Sequence, residues 1–263
     1  MTDSMILRCE IDTRGVATLT LNRPEVGNAF NGDLVAAIDE RLAELARPGT
    51  CRVLVLRGAG KHFCAGGDLN WMAHLAMAGE DANDRDARAV GEMMRKLKFF
   101  PRPTLAVVRG AALGGGASLV VCCDIAVAAS DAVFAISGVK MGMLPVVISP
   151  YIVSAIGPRR ARRYYLTGER IPAPRAEAIG LIHECVAPDD LDAAAETLIT
   201  HLLDGGPIAQ AMAKDLVAED ADPPIAGEAF DRLAARLADL RATNEAVEGM
   251  MAFLEKRPPN WKA

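Results

Sequence analysis

The chain has 263 residues, of which 51% are hydrophobic and 24% are charged. Its 34 acidic residues outnumber its 29 lysine and arginine residues, so the formal net charge at pH 7 is -5. This length supplies a substantial core for one large domain, or for a domain with an appendage. The acidic balance argues against a sequence-independent binder of nucleic acid or membrane surfaces, which needs a basic face. An anionic ligand must therefore be bound by a few local groups.

Targeting segments and cysteine spacing also limit the class of protein. Residues 1–15 lack the pattern of a secretory signal, and no apolar run reaches the length of about 18 residues that spans a membrane. The six cysteines form no CxxC pair and have no companion histidine at zinc-finger spacing. We therefore expect a soluble cytoplasmic protein with reduced cysteines and no metal site.

Short β-branched runs alternate with segments of helical period through the first two-thirds of the chain. The apolar pattern predicts strands over 16–21, 53–56, 105–108, 125–128 and 133–136. It predicts helices over 34–45, 90–97 and 119–123. Because several strands are apolar throughout, we expect them to be buried on both faces. The alternation favours an α/β architecture with helices packed on largely parallel strands.

The last third of the chain has a different composition. Alanine- and leucine-rich segments after Pro188 predict four helices, over 191–203, 208–218, 230–240 and 246–256. Glycine and proline residues separate them. Such a helical region either caps the core or packs on a neighbouring subunit.

Two glycine-rich turns, over residues 58–68 and 110–116, each follow a buried strand. Neither matches the dinucleotide-binding or Walker phosphate patterns. Glycine lets backbone N–H groups approach a ligand closely, and a helix N-terminus adds a partial positive charge. Two such turns that face one point would make an oxyanion hole suited to a thioester oxygen. Tight packing of strands on helices is the alternative explanation of the glycines.

Five segments carry a family resemblance: LNRPEVGNAF, VLRGAGKHFCAGGDL, GAALGGGASLVVCCDIAVAA, FAISGVKMGMLP and EGMMAFLEKR. In this order and spacing they resemble the enoyl-CoA hydratase/isomerase (crotonase) superfamily over essentially the whole chain. LNWM after the first turn and VISPYIVSAIGPRRARRYYLTGERI look most like bacterial methylglutaconyl-CoA hydratases. The resemblance implies a crotonase-like spiral of repeated β-β-α units over residues 1–190 that holds the acyl-CoA site. It also implies a helical trimerisation region over 191–263 that contacts coenzyme A.

The resemblance implies an acyl-CoA substrate, a homotrimer or dimer of trimers, no permanently bound cofactor and no metal. The backbone N–H groups of Ala65 and Gly115 match the family's oxyanion-hole donors. Coenzyme A would be held by residues in matching segments: Arg23, Lys61, Asp68, Leu69, Phe253 and Lys256.

The chain departs from the family at the general base. Hydratases of this family carry one or two glutamates that activate water and protonate the α-carbon. The matching positions here are Ser118 and Gly138. A serine hydroxyl is a poor base without a partner, and glycine has no side chain. The expected carboxylate is therefore absent from both places.

Three interpretations stay open. The protein hydrates a methylglutaconyl- or isohexenylglutaconyl-type enoyl-CoA, with the substrate's carboxylate or a bound anion such as bicarbonate near Gly138 replacing the glutamate. Alternatively, it catalyses an isomerase or other family reaction with an acid or base elsewhere, for which Asp68 and Glu169 are candidates. The third interpretation is a catalytically silent homologue that binds acyl-CoA.

Two further residues near the first turn are candidates for other chemistry. His62 would approach a ligand or be a solvated loop histidine. Cys64 would be a nucleophile only with a histidine base, and the sequence identifies none. No GxSxG nucleophile elbow is present, which disfavours a serine hydrolase.

Overall fold

A computed structural model describes residues 6–68, 70–72, 74, 80–141, 145–220, 244–245, 248, 252, 255 and 257–260. The chain divides into two compact units, Met1–Ile199 and Thr200–Ala263. The helix predicted over 230–240 and most of the one predicted over 246–256 lie outside the described residues. No helix within the described ranges is long and apolar enough to cross a membrane.

The described elements follow the predicted alternation of strands and helices. The strands are β1 (Leu7–Ile11), β2 (Val16–Leu21), β3 (Val53–Gly58), β4 (Thr104–Val108), β5 (Ala111–Leu113), β6 (Ile125–Ala129), β7 (Val133–Ala135), β8 (Arg170–Pro172) and β9 (Glu184–Val186). The helices are α1 (Gly32–Leu45), α2 (Glu80–Lys98), α3 (Gly115–Cys122), α4 (Ser149–Ile156), α5 (Pro158–Thr167), α6 (Ala173–Ile179), α7 (Leu191–Asp204) and α8 (Pro207–Asp220).

Two sheets organise the first unit. The larger has the strand order β1-β2-β3-β4-β6-β9, and the smaller has the order β5-β7-β8. Every neighbouring pair from β2 to β9 in the larger sheet is parallel, whereas β1 pairs antiparallel with β2. The prediction of largely parallel strands is therefore confirmed. All five residues of β4 are buried, which fits a strand covered on both faces.

Successive segments add one strand to each of two layers. In the larger sheet, β2, β3, β4 and β6 are consecutive neighbours. In the second layer, Phe30 pairs with Gly67, Cys64 pairs with Ala112, and β5 pairs with β7, all in parallel. Each long strand is thus followed by a short extended segment in the neighbouring layer, and the same order recurs along the chain. This stacking places the first glycine-rich turn directly beside the second.

Among the elements that differ from the sequence prediction, three lie around the glycine-rich turns or the polar helix α2. The helix predicted over 119–123 begins at Gly115, so the glycine cluster forms its first turn. The helix predicted over 90–97 spans Glu80–Lys98. The prediction began too late because the first turns of this helix are polar and carry little apolar period. The three-residue strand β5 lies inside the second glycine-rich turn, where its short sequence Ala111–Leu113 has no strand pattern of its own.

The second unit contains helix α8 and isolated described residues. The N-terminal backbone N–H groups of Ile208 and Ala209 donate to the Glu245 carboxylate at 3.0 and 2.9 Å. This carboxylate satisfies two of the unpaired donors at the helix N-terminus. Farther along, Arg257 pairs with Glu248, with Nη1 to Oε1 at 2.6 Å.

Candidate active site

The first glycine-rich turn lies against strand β5. The backbone N–H of Cys64 donates to Ala111 O at 3.0 Å, and the N–H of Leu113 donates to Cys64 O at 2.9 Å. A methyl group at Gly66 would lie 3.1 Å from Leu113 O, so the two backbones approach too closely for a side chain between them. The two turns are therefore joined by main-chain hydrogen bonds.

The second turn places the N-terminus of α3 beside the first. Gly114 has a φ of 50°, and its N–H donates to Ala135 O at 2.8 Å. A side chain at Gly116 would lie 2.4 Å from Cys64 O. One at Gly115 would lie 2.5 Å from the Phe30 ring. The glycines are thus needed because the helix begins directly against the turn, which is consistent with both explanations offered by the sequence.

The N–H of Gly115 opens α3 and makes no hydrogen bond with any described residue. The first backbone N–H groups of a helix have no partner within the helix, and the helix dipole makes this end electropositive. Gly115 therefore offers one donor to an anionic atom.

Ala65 does not offer the second donor. Its N–H donates to Gly27 O at 2.8 Å, so this group is already used to fasten the turn. The N–H of Gly67 makes no hydrogen bond within the described part of the chain. Phe30 N donates to Gly66 O and Asp68 N donates to Phe30 O, both at 2.7 Å, so the intervening Gly67 N–H points away from Phe30. The expected Ala65 N–H is therefore already hydrogen-bonded, and the N–H of this turn without a described partner is that of Gly67, two residues farther on.

Arg23 and Asp68 bind each other. Arg23 Nη2 lies 2.8 Å from Asp68 Oδ2, and the two side chains are only 14% and 10% exposed. Arg23 Nη1 also donates to Ala29 O at 2.6 Å. Asp68 Oδ1 accepts the N–H groups of Asn70 and Trp71 at 2.9 and 3.3 Å. In this structure both residues hold the end of the first turn, which differs from the expected contact with coenzyme A.

The other expected contacts with coenzyme A are only partly described. Lys61 is exposed in the first turn and makes no ion pair with the described residues. Leu69, Phe253 and Lys256 lie outside the described residues.

The structure describes both Ser118 and Gly138, the positions where the family resemblance leads us to expect glutamates. Ser118 is 1% exposed, and its hydroxyl donates to Gly114 O at 3.0 Å within its own helix. Gly138 is half-buried and begins a 3-10 helix over Gly138–Met141, three residues after Ala135, whose carbonyl accepts the N–H of Gly114. Neither residue supplies a base.

The two carboxylates suggested by the sequence as replacements are both paired with arginine. The Arg23 guanidinium, which donates to Asp68, lowers the pKa of that carboxyl. Arg163 binds both oxygens of Glu169 at 2.7 and 3.1 Å, and this contact lowers the pKa of Glu169. A carboxylate whose charged form is stabilised in this way is a weaker base, so neither suits proton abstraction.

Asp86 on α2 is a carboxyl group that sequence reasoning missed. Burial raises its pKa, partly offset by an interaction with the Trp71 indole N–H. The Trp71 ring also lies beside the first turn, because a methyl group at Gly67 would be 4.0 Å from its Cζ3 atom. The interaction with Trp71 distinguishes Asp86 from the other acidic residues of the polar helix α2, and no sequence pattern shows it.

His62 and Cys64 are both fixed by the fold. His62 is half-buried, and its Nδ1 atom accepts the backbone N–H of Ala111 at 3.1 Å, so this ring nitrogen is engaged by the fold. Cys64 is fully buried, which raises the pKa of its thiol to about 12. The six cysteines are free. Among the described residues, no group of three or more His, Cys, Asp or Glu side chains could hold a metal ion.

The structure thus combines a largely parallel α/β core with two glycine-rich turns joined by main-chain hydrogen bonds. The family model for enoyl-CoA hydratase/isomerase matches residues 12–263. The chain belongs to the enoyl-CoA hydratase/isomerase family, whose members act on acyl-CoA thioesters.

Relatives and solved structures extend over nearly the full chain. The 1,2-epoxyphenylacetyl-CoA isomerase of Escherichia coli K12 is 34% identical over 256 residues, covering 94% of this chain and 95% of its own. The 2,3-dehydroadipyl-CoA hydratase of the same organism is 34% identical over 250 residues, with 94% and 95% coverage. A crystal structure of an enoyl-CoA hydratase from Shewanella pealeana has a TM-score of 0.94, with 41% identity and coverage of 97% and 96%. The crotonase fold expected from the sequence is thereby confirmed.

Proposed function

We propose that this protein adds water to an α,β-unsaturated acyl-CoA, with the backbone N–H groups of Gly67 and Gly115 binding the thioester oxygen. The observation that carries this proposal is that both groups are free of hydrogen bonds to described residues while their turns lie side by side. Gly66 and Gly114 are neighbours, because a methyl group at Gly114 would lie in ordinary van der Waals contact with Gly66 Cα, at 3.9 Å.

The two donors would act on charge that develops during the reaction. When the water oxygen bonds to C3, the electron pair of the C2=C3 bond moves into the thioester and makes an enolate. The N–H of Gly67, the N–H of Gly115 and the electropositive end of α3 stabilise this oxyanion more than they stabilise the neutral carbonyl. Loss of one such donor typically costs about 10²- to 10³-fold in kcat. A proton delivered to C2 then completes the hydration.

The proton transfers need a base that neither Ser118 nor Gly138 provides. We propose that a carboxylate on the acyl group, or a bound anion such as bicarbonate, occupies the space beside Gly138 and activates the water. A methylglutaconyl- or isohexenylglutaconyl-type acyl group carries such a carboxylate. The E. coli relative named for 2,3-dehydroadipyl-CoA offers a parallel, because adipate is also a dicarboxylic acid. Gly138 lacks a side chain and is half-buried, which suits a site that accommodates an external carboxylate.

Coenzyme A would be held by a small number of contacts. Lys61 is exposed at the first turn, where its charge would bind a phosphate of coenzyme A. Because the protein as a whole is acidic, such an anionic group must be bound by local cations. Leu69, Phe253 and Lys256 stay proposals from the family resemblance. Arg23 and Asp68 are instead proposed to hold the donor turn in place. We propose a homotrimer or dimer of trimers that works in the cytoplasm, with residues 191–263 contributing to assembly.

One observation favours a second candidate, an isomerase-type proton transfer with its acid or base elsewhere. Asp86 has a raised pKa and interacts with Trp71, whose ring lies beside Gly67. A carboxyl group with a raised pKa is better suited to exchange protons near neutral pH. The E. coli relative named as an isomerase is consistent with this chemistry in a chain of similar sequence.

The test compares 3-methylglutaconyl-CoA with crotonyl-CoA, each with and without bicarbonate, by following loss of the enoyl absorbance. The hydratase proposal expects turnover of the dicarboxylic substrate, and turnover of crotonyl-CoA only when bicarbonate is added. Gly138→Glu should raise the rate with crotonyl-CoA without bicarbonate, whereas Val139→Glu, one residue farther along the same 3-10 helix, should not. If no condition consumes either enoyl group although both thioesters bind, hydration is wrong. If the wild type then exchanges the α-protons of the bound thioester with deuterated water, and Asp86→Asn does not, the isomerase is favoured. If the wild type shows no such exchange, the silent homologue is favoured.

A further inference from the structure

The same histidine hydrogen bond occurs twice in the first unit. The Nδ1 atom of His62 accepts the N–H of Ala111 at 3.1 Å, and the Nδ1 atom of His183 accepts the N–H of Ala126 at 3.1 Å. Because Nδ1 is the acceptor, each neutral ring carries its proton on Nε2. In both cases the loop histidine binds the beginning of a strand. The two bonds join different elements, and the backbone N–H of His183 also donates to Ala126 O at 2.9 Å.

The His62 bond joins the two donor turns. His62 belongs to the first turn, five residues before Gly67, and Ala111 begins β5, which leads into Gly114 and Gly115. The contact leaves no free space, since a methyl group at Gly110 would lie 2.9 Å from His62 Nδ1 and 2.1 Å from Lys61 O. The His183 bond instead connects β6 to the loop before β9, away from both turns.

Asn28 fixes the other side of His62. Its side-chain nitrogen donates to His62 O at 2.7 Å and to Ala59 O at 2.9 Å, while its side-chain oxygen accepts the N–H of Arg23 at 2.9 Å. Asn28 is fully buried and has a φ of 58°, a conformation that asparagine adopts more readily than most residues. The backbone of His62 is thus held by Asn28 while its ring holds Ala111.

We propose that His62 is a positioning residue that sets the placement of the Gly115 donor relative to the Gly67 donor. This inference rests on the proposed function, because it concerns the two N–H groups assigned there to the thioester oxygen. Displacement of a donor by about 1 Å can cost about 10²-fold in rate even when the residue changed is not in contact with the reacting atoms. Loss of the His62 bond leaves the Ala111 N–H without its acceptor and weakens the hold of the first turn on the beginning of β5, which keeps the bond from Cys64 N–H to Ala111 O.

The experiment compares three variants of the full chain. His62→Leu removes the acceptor, and His62→Asn keeps an acceptor because the asparagine Oδ1 atom stands where Nδ1 stood. His183→Leu is the control, since it removes a side-chain bond of the same type and length while the bond from His183 N–H to Ala126 O remains. The first readout is hydrogen exchange of backbone amides over residues 111–117. The second is the infrared carbonyl frequency of bound [1-¹³C]butyryl-CoA, a saturated thioester that cannot be hydrated.

We expect His62→Leu to accelerate exchange over residues 111–117 and to lose much of the binding-induced fall in carbonyl frequency. His62→Asn should restore both, and His183→Leu should change neither, even with a similar decrease in Tm. On a substrate that turns over, His62→Leu should lower kcat by about 10- to 100-fold with little change in KM. Unchanged exchange in His62→Leu, or an equal loss of carbonyl shift in His183→Leu, would overturn the inference. If wild-type protein binds butyryl-CoA without any carbonyl shift, the proposed function fails, and the exchange data alone then decide whether His62 holds the second turn.

Discussion

The guanidinium of Arg23 and the carboxylate of Asp68 form an ion pair of 2.8 Å between segments 45 residues apart. Asp68 directly follows Gly67, so the pair fixes the residue beside the proposed donor. It also links the segment before α1 to the first glycine-rich turn. Together with the Ala65 bond to Gly27, it anchors the first turn to the segment before α1.

Asp68→Asn should destabilise the protein, because it leaves the mostly buried Arg23 charge without its partner. We expect a loss of about 2 kcal/mol in the free energy of unfolding, measured in urea. Asp84→Asn is the control, since it breaks the exposed pair with Arg88, whose side chains are 77% and 56% exposed. Equal effects of the two substitutions would show that the Arg23–Asp68 pair is an ordinary surface contact.

The same pair has a defined pH dependence. The pKa of Asp68 is lowered in the folded state, chiefly by Arg23, so its contribution is complete above the pKa of an unfolded aspartate, about 4. This contribution to stability is lost as the pH falls through the lower pKa that Asp68 has in the folded protein. The difference in stability between wild type and Asp68→Asn should therefore be constant from pH 6 to 8 and shrink below about pH 4. A difference that grew on acidification would contradict this assignment.

Gly115→Ala should impair the site through a contact that can be relieved. The new methyl group would lie 2.5 Å from the Phe30 ring, whereas one at Gly116 would lie 2.4 Å from the backbone oxygen of Cys64. Phe30→Leu makes room for the first methyl group but not for the second. We expect the double variant Gly115→Ala, Phe30→Leu to recover kcat/KM relative to Gly115→Ala alone. No such recovery should follow when Phe30→Leu is combined with Gly116→Ala, and recovery in both pairs would argue against the described packing.

The two glycine-rich turns show which features of the fold and the site can be predicted from the sequence. The parallel α/β class and the positions of both turns could be predicted because glycine patterns and apolar strands are local properties, whereas the missing glutamates were inferred from the family resemblance. The choice between Ala65 and Gly67 could not, because it depends on which way each N–H points in a pairing with Phe30. The Arg23–Asp68 pair was equally hidden, since each charge taken alone resembles a ligand contact. Strand β5 was missed because three residues carry too little pattern.

Cys64 should be inert in the native protein. Burial raises the pKa of its thiol to about 12, whereas Cys9 and Cys185 are half-buried. Iodoacetamide at pH 8 should therefore modify Cys9 and Cys185 before Cys64, as judged by peptide mass spectrometry. Cys64→Ala should keep substantial activity, with some loss of Tm from the small cavity. Rapid alkylation of Cys64, with activity lost at the same rate, would instead identify a nucleophile.

Asp86→Asn should raise stability at neutral pH. Burial raises the pKa of Asp86, so its ionised form opposes folding, and this penalty disappears as the pH falls through the folded pKa. Tm at pH 7 should exceed that of the wild type, and the difference should diminish at acidic pH. Asp84 lies on the same helix, and Arg88 lowers the pKa of its carboxyl group. Asp84→Asn should therefore give no such increase in Tm. A decrease in Tm for Asp86→Asn at pH 7 would mean that the charge is stabilised by contacts other than Trp71.

The central claim is that the N–H of Gly67, and not that of Ala65, polarises the thioester together with Gly115. An ester bond in place of the amide at residue 67 replaces this N–H by oxygen and adds no side chain. The carbonyl frequency of bound [1-¹³C]butyryl-CoA reports the polarisation directly. We predict that the ester at residue 67 removes a large part of the shift seen in the wild type and that the ester at residue 65 leaves the shift in place while lowering Tm. A shift that survives at residue 67 and is lost at residue 65 would contradict the account.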